Sequence, residues 1–389
     1  MRLSVKFKLL PIIVIGIALL TGIFYYTSMN AMEKNLNTVS HNGVKTAKEM
    51  FYNLEDNDVK MLSSSLEMFL SNKEFKEVYL KNNREELYNY GQPLYNQLKI
   101  DFGITHFYFH LPNGTNFVRL HSKTQYGDKI TRKTLEKSVQ ANGFGTGLEL
   151  GKTAFALRVV HPYYNGTNLI GYVELGEEID HFLKVMKKQT NEDFGIFINK
   201  QFIKREDWKS TRDAKGLSDN YDDLKDYVAI DTTTDSISSF VANDEGRLSK
   251  VPAEGEVFNK YQKDSSTYIT GGFPLYDAGG SNVGTVVVVM DVTPLENAAN
   301  ESSRFVLIVS IISAIAISLI VIFLVNKYIL KPLDNIVDAT TRVAGGDFTA
   351  EIKAQSNDEI GDLAVMIEGF KTILVGTAKD LEAAQENKK

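Results

Sequence analysis

Two uncharged runs constrain this chain most. Residues 9–32 carry no charge, with 9–26 almost wholly apolar, and residues 305–326 form a second run rich in Ile, Val, Ala, Leu and Ser. A helix needs about 20 residues to cross a bilayer core, and both runs reach that length. The competing reading is a cleavable signal peptide plus one buried helix, because Arg2, Lys6 and Lys8 open the first run as they would a signal peptide. Its apolar stretch is long for that role and no small-x-small cleavage site follows, so the expectation is two spans, at 9–29 and 304–326. The three basic residues hold the N-terminus (1–8) in the cytoplasm, and Lys327 and Lys331 do the same after the second span. A two-pass protein of the cell (inner or plasma) membrane follows, with both termini inside and the long intervening stretch outside. That stretch has room for two ordinary domains. With no cysteine in the chain, apolar burial rather than disulfides must hold it. A net charge of -6 and no basic stripe exclude nucleic acid as a partner.

Beyond the first span, Met32, Leu36, Val39, Ala47, Met50, Leu54, Leu62, Leu66 and Phe69 recur mostly at helical spacing, the stripe of a long helix. Such a helix of about 40 residues would rise roughly 60 Å. Strand-like pairs follow at 104–110 with 115–121 around Leu111-Pro112-Asn113-Gly114, and at 153–164 with 169–175 around Asn165-Gly166. A connector helix is expected near 179–188, then strands at 194–203, 239–242, 267–276 and 283–292. An internal echo links the two halves: Pro162-Tyr163-Tyr164-Asn165 leads to Ile170-Gly171-Tyr172-Val173, and Pro274-Leu275-Tyr276-Asp277 leads to Val283-Gly284-Thr285-Val286. Chance is an alternative, since Pro and Gly punctuate most hairpins, but tandem copies of one module are favoured.

A long helix after a membrane span, two small antiparallel sheets and a second span resemble the double Cache sensor domains of bacterial and archaeal receptors. The segment His106-Phe107-Tyr108-Phe109-His110-Leu111-Pro112-Asn113-Gly114-Thr115, with Arg119-Leu120-His121 and Tyr126-Gly127-Asp128, resembles a subtype found on histidine kinases and chemoreceptors. After the second span come Lys331-Pro332, a stripe through Ile336, Ala339 and Val343, then Gly345-Gly346-Asp347, the connector residues Phe348 and Ile352, and Asn357-Asp358-Glu359-Ile360-Gly361. A second stripe runs Ile360, Leu363, Ile367, Phe370 and Leu374. Two short amphipathic helices cannot bury such stripes alone, so a homodimeric four-helix bundle is expected. The order resembles the HAMP module, in which Pro332, Gly346, Phe348, Ile352, Glu359 and Ile360 would relay the signal.

The expected fold is therefore α+β and membrane-anchored: a long N-terminal helix with two tandem PAS-like (Cache) modules, two transmembrane helices and a HAMP module. Its divisions fall at 1–8, 9–29, 30–190 (long helix and membrane-distal module), 191–303 (membrane-proximal module), 304–326, 327–378 (HAMP) and 379–389 (the start of an output segment). Such receptors continue into a kinase, cyclase or chemoreceptor hairpin, and this chain stops at Lys389. Either it carries no catalytic output of its own or it is a fragment of a longer receptor; no catalytic role is expected of the residues present.

Candidate chemistry is sparse. Gly147-Leu148-Glu149-Leu150-Gly151-Lys152-Thr153 suggests a phosphate loop, but that spacing demands glycine at 146, which is Thr146. In the first hairpin, a four-residue loop at 111–114 would set His106 opposite Arg119 and Tyr108 opposite Phe117. Alternation then gathers Phe107, Phe109, Val118 and Leu120 on one face and His106, Tyr108, His110, Arg119 and His121 on the other. His106 and His110 are about 13 Å apart along a strand and His121 falls beside His106, so no three-histidine metal site forms, and neither metal nor cofactor is expected. Arginine binds carboxylates with a two-point fork, so Arg119 or Arg158 is expected to hold a small anionic extracellular ligand, with Tyr108, His106 and His121 around it. Structural hydrogen bonding is the plainer alternative for all five. The only tryptophan, Trp208, is assigned to the second module's core, and the acidic run 219–226 to a solvated loop. The function expected is a transmembrane receptor relaying ligand binding through HAMP to a cytoplasmic signalling partner, in chemotaxis or two-component signalling. The alternative is a non-catalytic adaptor that pairs with another receptor.

Overall fold

The structure, a computed structural model, describes residues 5–151 and 154–386. Arg2 of the first basic flank, and Lys152 and Thr153 of the two motifs above, lie outside the described residues. The chain divides into two compact units, Met1–Lys34 with Asn297–Lys389, and Asn35–Glu296.

The second unit holds most of α1 (Val5–Leu70), then α2 (Lys73–Leu80) and α3 (Arg84–Phe102). Both short helices start on asparagine caps, Asn72 and Asn83, whose side chains accept from the N–H of Phe75 and Glu86. The first sheet contains β1 (Ile104–His110), β2 (Asn116–Arg119), β3 (Gly145–Leu150), β4 (Phe155–Asn165) and β5 (Asn168–Glu178), with α4 (Lys133–Ala141) between β2 and β3. After α5 (Asp180–Thr190) the second sheet contains β6 (Asp193–Asn199), β7 (Tyr227–Thr232), β8 (Glu256–Lys263), β9 (Ser266–Tyr276) and β10 (Asn282–Asp291). Its connections carry α6 (Arg205–Lys215), α7 (Ile237–Val241) and α8 (Glu245–Leu248).

The strand orders are β2-β1-β5-β4-β3 and β7-β6-β10-β9-β8, one topology used twice. The sequence echo is the β4–β5 and β9–β10 hairpin: Pro162 pairs with Tyr172, and Pro274 with Thr285. Gly171 and Gly284 sit on the central strands where a Cβ would lie 2.2 Å from a neighbouring backbone oxygen, that of His110 or Phe197.

α1 packs along both sheets. Phe69 meets Phe107 edge-on at 4.9 Å, Phe51 meets Phe182 at 5.3 Å and Phe273 at 5.7 Å, and the Tyr52 hydroxyl donates to Pro274 O at 3.0 Å. The expected stripe is shifted: Val39 is exposed, while Val44 and Phe51 are buried. Residues 239–242 are not a strand but the end of α7, on which Ile237, Phe240 and Val241 are buried at helical spacing. The strands β3, β7 and β8 and the helices α2, α3, α4 and α6 were not anticipated. Trp208 is 1 % exposed in the shared core.

In the other unit, α1 and α9 (Thr293–Val325) supply two helices long and apolar enough to cross a membrane. One turn of π-helix (Asn326–Leu330) leads into α10 (Lys331–Ala344), and α11 (Glu359–Glu386) follows the connector. Ile336, Ala339 and Val343 pack with Ala350, Ile352 and Ala364, flanked by Ile360 and Ile367. Pro332 is buried at the start of α10, and Gly346, not Gly345, takes the left-handed φ of 95°. Phe348 lies outside the core formed within one chain. It is 39 % exposed, and Ala350 joins Ile352 in the core instead. The cap of α11 is Asp358, not Asn357, because its Oδ1 accepts from Ile360 N and Gly361 N. Glu359 opens the helix, and Gly361 is required because a Cβ would lie 1.9 Å from Ser356 O.

Candidate ligand-binding site

The face of the first sheet turned away from α1 collects polar side chains. Alternation along β1 sends Phe107 and Phe109 into the core and His106, Tyr108 and His110 to the opposite side. The register differs from expectation by two residues: Tyr108, not His106, pairs with Arg119. An irregularity between Phe109 and His110 and a turn closed by Leu111 N to Thr115 O cause the slip. An even shift preserves the faces, so Arg119 still joins the polar side.

At the centre lies Glu174 of β5, fully buried. Its carboxylate accepts from Arg158 of β4, from Arg132 Nη1 at 3.0 Å, and from His110 Nε2 at 3.0 Å. Burial alone would push this carboxyl up, but the charges of Arg132 and Arg158 with the His110 hydrogen bond outweigh it and hold Glu174 well below the usual range. His110, also fully buried, has its Nδ1 3.3 Å from Asn116 Nδ2, so Nε2 carries the proton given to Glu174. Arg119 forms a two-point pair with Asp128 at 2.7 Å for each bond. The guanidiniums of Arg119, Arg132 and Arg158 lie 5.1, 5.3 and 5.5 Å from the centre of the Tyr108 ring.

The residues expected at a site are thus brought together, with changed roles. Tyr108 is the ring at the middle of three guanidiniums. Arg158 is committed to Glu174, and Arg119 to Asp128 at the rim. His106 and His121 face each other at 5.1 Å between ring centres. Burial, then the charge of Arg158, pushes His106 down to about 2; packing of its ring on His106 and Tyr108, then the charge of Arg119, also lowers His121, although the residue as a whole is exposed at the rim. Both rings are neutral at ordinary pH.

Two members went unseen in the sequence, Arg132 and Glu174. Arg132 uses only its Nη1 on Glu174 and also lines a cleft of about 520 Å³ between the Pro112–Gly114 turn, the segment from Lys129, and α4. Tyr172, two residues before Glu174 on β5, lines the same cleft, and Arg132 is the member of the charged cluster that reaches it. Three guanidiniums against two carboxylates leave an excess of one positive charge, and at the cleft wall Lys129 is offset by Glu136.

The segment that mimicked a phosphate loop is β3, which supports α4. Glu149 accepts from Thr134 N at 2.7 Å, an acid at the helix N-terminus. At Gly145 a Cβ would fall 2.0 Å from Thr134 O. Gly145 lets α4 lie close on β3, whereas Gly147, in the motif itself, abuts Ala278.

Residues 41–295 match the family model described as the double sensory domain of two-component sensor kinase, and residues 324–370 match that of the HAMP domain. The sensor protein kinase WalK of Staphylococcus saprophyticus is 24 % identical over 171 residues, covering 42 % of this chain and 27 % of that protein. The methyl-accepting chemotaxis protein McpQ of Pseudomonas putida is 30 % identical over 88 residues, covering 22 % of this chain and 14 % of its own length. The matched stretch is thus under a third of either relative's length. Among solved structures, the ligand-binding domain of the Campylobacter jejuni chemoreceptor Tlp3 in complex with L-valine aligns over 69 % of this chain and 98 % of its own, with 9 % identity and a TM-score of 0.42. The Vibrio cholerae histidine kinase DctB sensor domain aligns over 66 % and 98 %, with 11 % identity and a TM-score of 0.40. The chain belongs to the double sensory (double Cache) domain family of two-component sensor kinases, with a HAMP module behind the sensor.

Proposed function

We propose that the chain is the sensing and relay part of a two-pass membrane receptor, and that its membrane-distal module binds a small anion. The observation that carries this reading is that Arg132, one of the three arginines around Tyr108, also lines the cleft beside α4. A cleft of this volume is in the range that takes small molecules. Arg132 is the first contact for the ligand, because much of its fork is not used on Glu174, whereas Arg119 and Arg158 brace the site. Lys6 and Lys8 before the first span and Lys327 and Lys331 after the second support a sensor outside and both termini inside.

Ligand binding acts as a signal only if two arrangements of the module bind it with different affinity. In this reading the second span carries the difference to the HAMP helices, which work as a homodimer. Apolar side chains on α11 support the dimer: Met366 is 58 % exposed, Phe370 68 % and Leu374 54 % within one chain. The output is a cytoplasmic partner or segment of the chemotaxis or two-component kind.

The test is thermal unfolding of the detergent-solubilised chain against a panel of small carboxylates, amino acids and inorganic phosphate. At least one anion raises the midpoint of the wild type, and Arg132→Ala, whose unliganded midpoint is lowered by the loss of a Glu174 partner, shows no further rise with that anion. If no anion shifts the wild type, or Arg132→Ala responds equally, the site assignment fails.

A further inference from the structure

Three residues beyond Glu174 on the same strand, Glu177 turns to the opposite side, towards α1. It is 3 % exposed, and its Oε1 has no hydrogen-bond partner. Beside it stand Asp58 of α1 and His181 of α5, with His181 Nε2 2.9 Å from Asp58 Oδ2. One ligand atom from each of the three lies within 4.8 Å of the others. Glu174 is answered by two guanidiniums; at Glu177 no arginine or lysine pairs with either carboxylate among the described residues.

We propose that Asp58, Glu177 and His181 form a binding site for a divalent transition-metal ion of the zinc and cobalt type. Bonds of about 2.0–2.2 Å from oxygen and imidazole nitrogen to such an ion place its ligands roughly 3–4 Å apart, a small rotation from the spacing present. The second ring nitrogen is already held, since His181 Nδ1 lies 3.3 Å from Glu178 O. The backbone carbonyl on Nδ1 orients the ring so that Nε2, now bonded to Asp58, can exchange its proton for an ion. Imidazole with two carboxylates favours a transition ion over calcium or magnesium, which prefer all-oxygen shells. Asp58 is 21 % exposed and His181 42 %, so an ion can reach the site and keep water on its open side. The ligands come from α1, from the end of β5 and from α5, the helix between the two sheets. A bound ion therefore clamps the long helix to the junction of the two modules.

The test uses the untagged full chain in detergent, stripped with chelator and titrated with Co²⁺ or Zn²⁺ alone. The expected result is one saturable ion per chain, a visible Co²⁺ absorption band of imidazole–carboxylate ligation, and a rise in the unfolding midpoint. Glu177→Gln and His181→Gln each weaken binding by at least about tenfold. His181 is half-exposed, so its variant serves if Glu177→Gln does not fold. Absence of saturable binding by the wild type overturns the proposal, as does affinity unchanged in His181→Gln. Stoichiometric binding of Ca²⁺ or Mg²⁺ in place of Co²⁺ and Zn²⁺ overturns the assigned class of ion.

Discussion

Glu174 shows how a single buried acid organises the distal module. Removing one partner of a buried ion pair strands the other charge, at a cost of about 3–5 kcal/mol. Glu174→Ala, which leaves Arg158 buried and unpaired, should lower the stability of the 30–303 fragment by that amount in urea unfolding. The pH dependence has a definite sign. Glu174 has a folded pKa below its unfolded one, so its contribution is present above the usual carboxyl range and is lost as pH falls through that range and below. His106, held down to about 2, prefers the neutral form when folded, so its contribution is complete above about pH 6.5 and declines as pH falls from there. His106→Gln should flatten the stability curve between about pH 6.5 and 4, leaving the steeper loss below it. Much of this site was legible in sequence, because alternation alone put His106, Tyr108, His110 and Arg119 on one face. Arg132 was not, since it follows an irregular segment with no period to read. Glu174 was not either, because its partners come from two other strands and a loop that no local pattern brings together.

Among the elements, the glycines of the central strands carry the clearest expectation. Gly171→Ala and Gly284→Ala occupy equivalent places in the two sheets, and each drives a Cβ into a neighbouring carbonyl oxygen. Each should destabilise the 30–303 fragment by about 1–3 kcal/mol or more, the cost of overpacking a tight core. Equal penalties in the two modules would match their shared topology; a neutral Gly284→Ala would contradict it. The tandem hairpins were readable because Pro, Gly and turn residues recur at matching distances. The strand expected at 239–242 failed because Ser239, Phe240, Val241 and Ala242 are too few to separate period 2 from period 3.6 without tertiary context. The edge strand β8 was missed for a related reason: Glu256–Lys263 is polar with half its residues exposed and keeps its place by pairing with β9. The glycine-rich segment around β3 gave a misleading resemblance, since Gly147 serves a left-handed backbone and close packing on Ala278 rather than phosphate binding.

For the whole molecule, the two spans, the sensor between them and the HAMP helices were all visible as changes of hydropathy and period. Such patterns run over tens of residues and survive local errors of register. The dimer is the assembly expected to cover the exposed stripe of α11. The chain has no cysteine, so a single introduced thiol reports that contact without background. Phe370→Cys should form disulfide-linked dimers in oxidised membranes, whereas Thr372→Cys, about 200° further round the helix, should not. The most direct test of a sensor joined to a relay is the rate of that Phe370→Cys cross-link in membrane vesicles, measured with and without an anion that stabilises the wild-type chain. The account predicts a several-fold change in rate on adding the anion, abolished when Arg132→Ala is combined with Phe370→Cys. A rate that stays the same while the anion is bound would contradict it.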